Sequence, residues 1–217
     1  MKEKYLELIR LAIKRFYEED AAVMFGDARS KSVSEWAMAG CIYRYLWDKL
    51  KEFDGMPSAV DIEYNRLTSL KQGDSRKRIN KCNSKSDCPK YEECMKVLEA
   101  NIDKVEREEN KGLFRPDIII HNRREAGKDN NGLVIEVKKE EFKKECAFLD
   151  CAKLSYLVCD KSGELQYQFG AMILLRKNCA YVGFFEKDQD VIGHVFKEGE
   201  WRHMTDQEQE DKLWCKP

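Results

Sequence analysis

The chain has 217 residues and a formal net charge of -1 at pH 7, with 42% hydrophobic and 36% charged residues. This length fits one α/β domain, and the hydrophobic fraction is enough for a buried core. No apolar run reaches the roughly 18 residues that a membrane span needs, and the charged N-terminus does not resemble a secretory signal. These features predict a globular, cytoplasmic protein with no membrane partner.

Two amphipathic helices are predicted at the start of the chain. Residues 4–17 carry apolar side chains at steps of three and four, which is typical of one inward helix face. Ser32 and Glu35 have the spacing of a capping box, which predicts that the second helix begins there. The same helical spacing then predicts its inward face: Trp36, Gly40, Tyr43, Trp47 and Leu50.

Alternating polar and apolar residues predict strands further along the chain. Residues 60–65 alternate in this way after the turn signals Gly55 and Pro57. Residues 113–121 and 132–139 predict two more strands joined by the turn-rich REAGKDNNG, and we expect them to pair antiparallel. The remaining predicted elements are a helix at 144–160 and strands at 167–175 and 179–185.

We interpret residues 1–217 as one domain with a basic, turn-rich insertion at about 70–111 and a C-terminal extension from about 187. Because the chain carries no export signal, its nine cysteines are expected to be thiols rather than disulfides. Three of them lie in the insertion: Cys82, Cys88 and Cys94. Five residues separate neighbours in this trio, whereas zinc ligands usually come in pairs about two to four apart. The spacing favours buried thiols, and zinc binding stays open.

Two predicted strands carry charged residues inside apolar runs, RPDIII and VIEVKK. Burying such charges is costly unless they are paired or bind a metal. Glu136 and Lys138 share one face because strand side chains alternate, and hairpin pairing can bring Asp117 beside Glu136. Two carboxylates from adjacent strands suit Mg²⁺, with Mn²⁺ as its substitute, together with water and phosphate oxygens. The pattern therefore predicts metal-dependent hydrolysis of phosphodiester bonds.

Pro116-Asp117 followed by Glu136-Val137-Lys138 resembles the PD-(D/E)xK signature of restriction-endonuclease-like nucleases. The resemblance covers about residues 32–186, and the phrases DIEYNR and DCAKLSYL resemble a bacterial and phage group of that superfamily. It implies a restriction-endonuclease-like α/β core, in which a central mixed sheet is flanked by helices in the order α-β-β-β-α-β.

The resemblance also implies a role for each residue of the motif. Asp117 and Glu136 would be metal ligands, the backbone carbonyl of Val137 would complete the coordination, and Lys138 would assist the attacking water. The superfamily often adds a carboxylate from its first core helix, which Glu35 could supply. Glu35 could instead only cap that helix, and Glu63 on the polar face of the first strand competes as the third acidic residue.

Several alternatives stay open. The charged trio could be a surface ion-pair ladder or the remnant of a decayed nuclease. In the predicted helix that follows, Lys153 could contact a phosphate or lie on a solvated face. No histidine has a metal-ligand spacing. Two basic patches could follow a nucleic-acid backbone or be solvated loops: Arg76, Lys77, Arg78, Lys81 and Lys85, and Arg123 with Arg124.

The sequence therefore predicts a metal-dependent nuclease whose partner is nucleic acid, with DNA favoured. The alternative is a catalytically inactive module for nucleic-acid binding or protein assembly on the same fold. A homodimer and an accessory protein both stay open. Nothing in the sequence separates DNA from RNA, or endonuclease from exonuclease cleavage, because substrate choice depends on loops and partners.

Overall fold

The computed structural model describes residues 1–26, 33–62, 116–122, 131–139, 150–151, 153–155, 157–158, 166–187, 189 and 191–212. Helices in this part of the chain are Lys2–Glu19 (α1), Ala21–Phe25 (α2), Glu35–Leu50 (α3) and Asp206–Lys212 (α4). Residues 150–151, 153–155 and 157–158 are also helical, and we call them the crossover helix. The strands are Ala59–Ile62 (β1), Ile118–His121 (β2), Asn131–Lys139 (β3), Phe169–Leu175 (β4), Cys179–Glu186 (β5), Ile192–Lys197 (β6) and Glu200–His203 (β7).

The strands form one mixed sheet in the order β1-β2-β3-β4-β5-β6-β7. Only β3 and β4 pair in parallel among them. A parallel pair needs a crossover connection, and the crossover helix lies on that connection in sequence. The predicted antiparallel pairing of the two motif strands is confirmed, with Ile118 opposite Ile135. The predicted class, an α/β protein with a mixed sheet flanked by helices, is also confirmed.

Both faces of the sheet are covered, because side chains alternate along each strand. On one face, Ile118 and Ile135 join α1 and α3 in the larger hydrophobic core. On the other face, Ile119 and Val134 pack with Leu154 and other apolar residues of the crossover helix. The centre of the sheet is therefore buried on both sides, so charged residues there face packed protein.

Helix α3 begins later than predicted. Ser34 is its N-cap and accepts a hydrogen bond from the Ala37 amide at 3.2 Å. The capping box built on Ser32 is therefore wrong, because Glu35 is the first helical residue rather than the third. The predicted inward face is also rotated: Trp36 is 57% exposed. Leu50 of the predicted face is buried, and Tyr43 and Trp47 are half-buried against the core. The other buried residues belong to the neighbouring stripe, namely Met38, Ala39, Ile42, Tyr45 and Leu46. Both stripes are apolar, and the sheet selects between them.

The segment after about residue 187 adds β6 and β7 to the sheet, followed by α4. The expectation that every cysteine is a thiol is wrong at Cys151, which is disulfide-bonded. That expectation came from the average redox state of a compartment, whereas the fold decides which sulfur atoms meet. In the described part of the chain, no helix combines the length and apolarity needed to cross a bilayer.

Candidate active site

Pairing of β2 with β3 brings Asp117 and Glu136 together on the face that the crossover helix covers. Asp117 directly precedes β2, and the register of Ile118 with Ile135 sets it beside Glu136. The charge of Asp117 acts on the buried Glu136 carboxyl, so the two groups are close enough to interact electrostatically. Their pairing thus forms an acidic centre inside the protein.

Burial and mutual repulsion both act on this acidic pair. Glu136 is only 4% exposed, and burial, followed by the charges of Asp150 and Asp117, raises its pKa well above the usual value. Burial likewise raises the pKa of Asp117, although the Val137 amide and the Lys138 charge oppose the change. A site that resists ionisation in this way gains from a nearby positive charge.

The edge of β3 also presents Val137 to the acidic pair. The Val137 amide donates a hydrogen bond of 2.7 Å to Oδ2 of Asp117. In an antiparallel ladder the amide and carbonyl of one residue point to the same neighbouring strand, so the Val137 carbonyl faces this edge too. Continuing the register of Ile118 with Ile135 by two residues sets Val137 opposite Pro116, which has no N–H to donate. A backbone carbonyl that faces a proline receives no ladder hydrogen bond from it.

Lys138 lies two residues after Glu136 and on the same face. Its Nζ is 3.0 Å from Oδ2 of Asp150 and 3.5 Å from Oε2 of Glu35. Burial lowers the pKa of Lys138, but the charges of Asp150, Glu136 and Glu35 outweigh that effect, so the net change is upward. Lys138 is therefore an ammonium group at the edge of the acidic pair.

Glu35 points toward the sheet from the start of α3. Its Oε1 accepts a hydrogen bond of 3.4 Å from the Lys139 amide, while Oε2 approaches Lys138. Ser34 caps the helix instead. Of the two alternatives for Glu35, capping the helix or reaching toward the sheet, the structure therefore shows the second. Its competitor Glu63 lies outside the described residues, as do the cysteines of the insertion and both predicted basic patches.

Sequence reasoning missed Asp150. This carboxylate is 6% exposed and bridges two ammonium groups, Lys138 at 3.0 Å and Lys153 at 2.8 Å. Lys153 is thus ion-paired within the cluster. Burial lowers the pKa of Lys153, but the charges of Asp150 and Glu136 outweigh that effect, so the net change is upward. The sequence offers no distinctive signal for it: Asp150 directly precedes the apolar stripe of the predicted helix at Cys151, with a lysine three residues later, as on many solvated helix faces.

The donor set fits a hard divalent cation at a two-carboxylate site. Four carboxylates (Glu35, Asp117, Glu136 and Asp150) meet two lysines, so the cluster carries excess negative charge when all of them are ionised. Within the described residues, however, no group of three or more His, Cys, Asp or Glu side chains is arranged to hold a metal ion. Mg²⁺ commonly takes one or two carboxylates and keeps several waters. Asp117 and Glu136 with the Val137 carbonyl meet that requirement.

His121 also lies on this face of the sheet. Its Nε2 is 2.7 Å from Oδ2 of Asp61, and its side chain is 3% exposed. This contact links β1 to β2 beside the acidic pair, as a structural hydrogen bond would.

Comparison of the chain with models of protein families, with curated proteins and with solved structures found no match.

Proposed function

We propose that this protein is a divalent-metal-dependent nuclease with a restriction-endonuclease-like core, and that it cleaves phosphodiester bonds of nucleic acid, with DNA favoured. The observation that carries the proposal is the buried carboxyl pair of Asp117 and Glu136 beside the Lys138 ammonium group. Holding two carboxyls together away from water is unfavourable for folding alone. A bound cation would compensate for that cost.

The order of elements supports the same fold. From α3 through β1, β2, β3 and the crossover helix to β4, the chain runs α-β-β-β-α-β, with the first three strands antiparallel and β4 parallel to β3. This is the arrangement that the motif resemblance implies. The strands β5, β6 and β7 then extend the sheet beyond the proposed core.

Each site residue has a distinct part in the proposed reaction. Asp117 and Glu136, with the Val137 carbonyl, would hold Mg²⁺ or Mn²⁺, and the cation would offset the charge that develops on the phosphate. Lys138 is charged, so it acts as a hydrogen-bond donor that orients the attacking water and not as a general base. Glu35 and Asp150 fix the Lys138 ammonium from two sides.

A cleavage panel tests the proposal with linear, circular, single-stranded and branched DNA and matching RNA, each with Mg²⁺, Mn²⁺ or chelator. We expect cleavage only with a divalent ion, and a loss of about a thousandfold or more in Asp117→Asn and Glu136→Gln. Asp48→Asn is the matched control, because Asp48 forms only an exposed ion pair with Arg15. Cleavage by both site variants at the wild-type rate would sink the assignment.

One observation favours a second candidate, a catalytically inactive module that binds nucleic acid or assembles with protein. Lys138 is already engaged by two carboxylates, at 3.0 and 3.5 Å, so the charges could form a purely structural network. In that case, the panel would show metal-independent binding of an oligonucleotide without cleavage. Binding with unchanged affinity in Glu136→Gln would favour this candidate over the nuclease.

A further inference from the structure

A polar cavity lies on the other face of the sheet, away from the acidic pair. It has a volume of about 250 Å³ and lies between α1 and the last two strands. Its lining residues are Glu3, Leu6, Glu7, Arg10, His194, Trp201, Arg202 and His203. Phe196, two residues after His194, joins the core under α1, whereas Asp117 and Glu136 face the crossover helix. The cavity is therefore distinct from the candidate active site.

His194 is the unusual residue of this cavity. Its side chain is 3% exposed, and neither ring nitrogen has a hydrogen-bond partner among the described residues. Such a buried polar group usually costs about 1–3 kcal/mol when it is left without a partner. Burial also lowers the pKa of His194 to about 4, and the nearby charges of His203 and Lys2 add to that effect. A neutral imidazole keeps one nitrogen lone pair, which can bind a ligand from the cavity.

His203 is the cross-strand neighbour of His194. The centroids of the His194 and His203 rings are 4.4 Å apart. Trp201 stacks on the His194 ring, with a centroid distance of 5.1 Å. Metal–nitrogen bonds of about 2.0–2.1 Å place two ligating rings with centroids roughly 4.5 Å apart at a right angle and about 5 Å apart at a tetrahedral angle. The observed spacing is close enough for both rings to bind one metal ion, and imidazole nitrogen is a ligand that Cu²⁺ and Ni²⁺ accept.

The charges around the cavity do not favour an anion. Arg10 Nε donates to Glu7 at 2.7 Å, and Arg202 makes two hydrogen bonds of 2.8 Å with Glu208. Each guanidinium is therefore already neutralised by a carboxylate. Imidazole nitrogens in a confined space instead suit a borderline transition metal.

We propose that His194 and His203 form a binding site for a divalent transition metal, with the remaining positions taken by water in the cavity. The described residues contain no arrangement of three or more His, Cys, Asp or Glu ligands, so the site is a two-imidazole one with open positions. Mg²⁺ does not bind there, because it prefers oxygen ligands. Affinity falls from Cu²⁺ to Ni²⁺.

Calorimetry with Ni²⁺ tests this site in the Asp117→Asn/Glu136→Gln double variant, where the candidate active site is disabled. We expect one Ni²⁺ per chain. The Ni²⁺ affinity should be at least about tenfold lower in His203→Gln and in His194→Phe, which retains an aromatic ring for stacking. His203 is exposed, so its variant is expected to fold, and melting temperatures confirm that both variants do. His121→Gln is the matched control, because it replaces the third histidine of the chain.

Thiols also bind Ni²⁺, so the histidine dependence decides the outcome. A titration in which His203→Gln and His194→Phe weaken binding while His121→Gln does not supports the site. Binding that both variants leave unchanged, or no binding at all, overturns it. Neither result depends on cleavage, so this site and the proposed nuclease can fail separately.

Discussion

The two faces of β3 place side chains from one strand in opposite environments. Ile135 and Val137 are fully buried under α1 and α3. Glu136 and Lys138 alternate with them and face the crossover helix, where Asp150 meets both Lys138 and Lys153. Apolar contacts fill one face, whereas the other buries charges that must be met by opposite charges or by protons. Packing explains the first face, and the second calls for a function.

The largest expected effect on stability is on the apolar face. Ile135→Ala should lower the free energy of unfolding by about 2–5 kcal/mol, because it removes buried methyl groups and leaves a cavity. Urea unfolding measures the change. Val23→Ala serves as the control, since Val23 is 76% exposed and should cost less than about 0.5 kcal/mol. Equal losses in both variants would contradict the burial pattern.

On the charged face, Asp150→Asn should cost about 1–3 kcal/mol. The change leaves two buried ammonium groups without their shared carboxylate, and breaking a buried pair is more costly than losing an exposed one. The same measurement on Asp48→Asn gives the exposed reference, where less than about 1 kcal/mol is expected. If the two variants lose the same amount, Asp150 does not organise the cluster.

Glu136→Gln should stabilise the protein by about 1 kcal/mol at pH 8 in the presence of a chelator. The folded pKa of Glu136 is raised, so its folded form binds the proton more tightly than the unfolded chain does. Stability therefore falls as pH rises from about 4.5 through the folded pKa. Between pH 5 and pH 8, the free energy of unfolding should fall less steeply with pH for Glu136→Gln than for the wild type. Parallel slopes would show that Glu136 is not the titrating group.

The smallest effect on stability is expected at Glu35. Glu35→Gln should change the free energy of unfolding by less than about 1 kcal/mol, because Ser34 caps the helix. This figure includes the loss of a favourable negative charge at the start of α3. Cleavage should nevertheless fall by far more than this small change in stability explains, since Glu35 contacts Lys138. Full activity in Glu35→Gln with a large loss in Glu63→Gln would identify Glu63 as the third acidic residue.

Local patterns predicted much of this fold. Two apolar runs and the turn-rich loop between them were enough to place β2 and β3 as an antiparallel pair, and apolar runs also indicated β4 and β5. The start of α3 and part of its inward face were predicted wrongly, because the helix carries two adjacent apolar stripes and only packing in the folded protein selects Met38 over Trp36. Strands β6 and β7 were missed because polar and charged residues interrupt their short apolar pattern.

The candidate site was partly accessible from sequence for a similar reason. Charges inside the strands of Asp117 and Glu136 stand out, because an apolar run makes them unexpected. Asp150 does not stand out, because a polar residue beside an apolar helix stripe normally faces solvent. Only the packing of the crossover helix on the sheet brings it to Lys138. Distances between elements far apart in sequence were not available from local patterns.

Manganese binding tests the central claim most directly, since electron paramagnetic resonance counts free and bound Mn²⁺. We expect one Mn²⁺ per chain. The Mn²⁺ affinity should be at least about tenfold lower in Asp117→Asn and in Glu136→Gln. Lys138→Ala should still bind Mn²⁺, because lysine adds no ligand, although its cleavage should be lost. Wild-type protein that binds no Mn²⁺, or carboxylate variants that bind it as tightly as wild type, would contradict a metal site at Asp117 and Glu136.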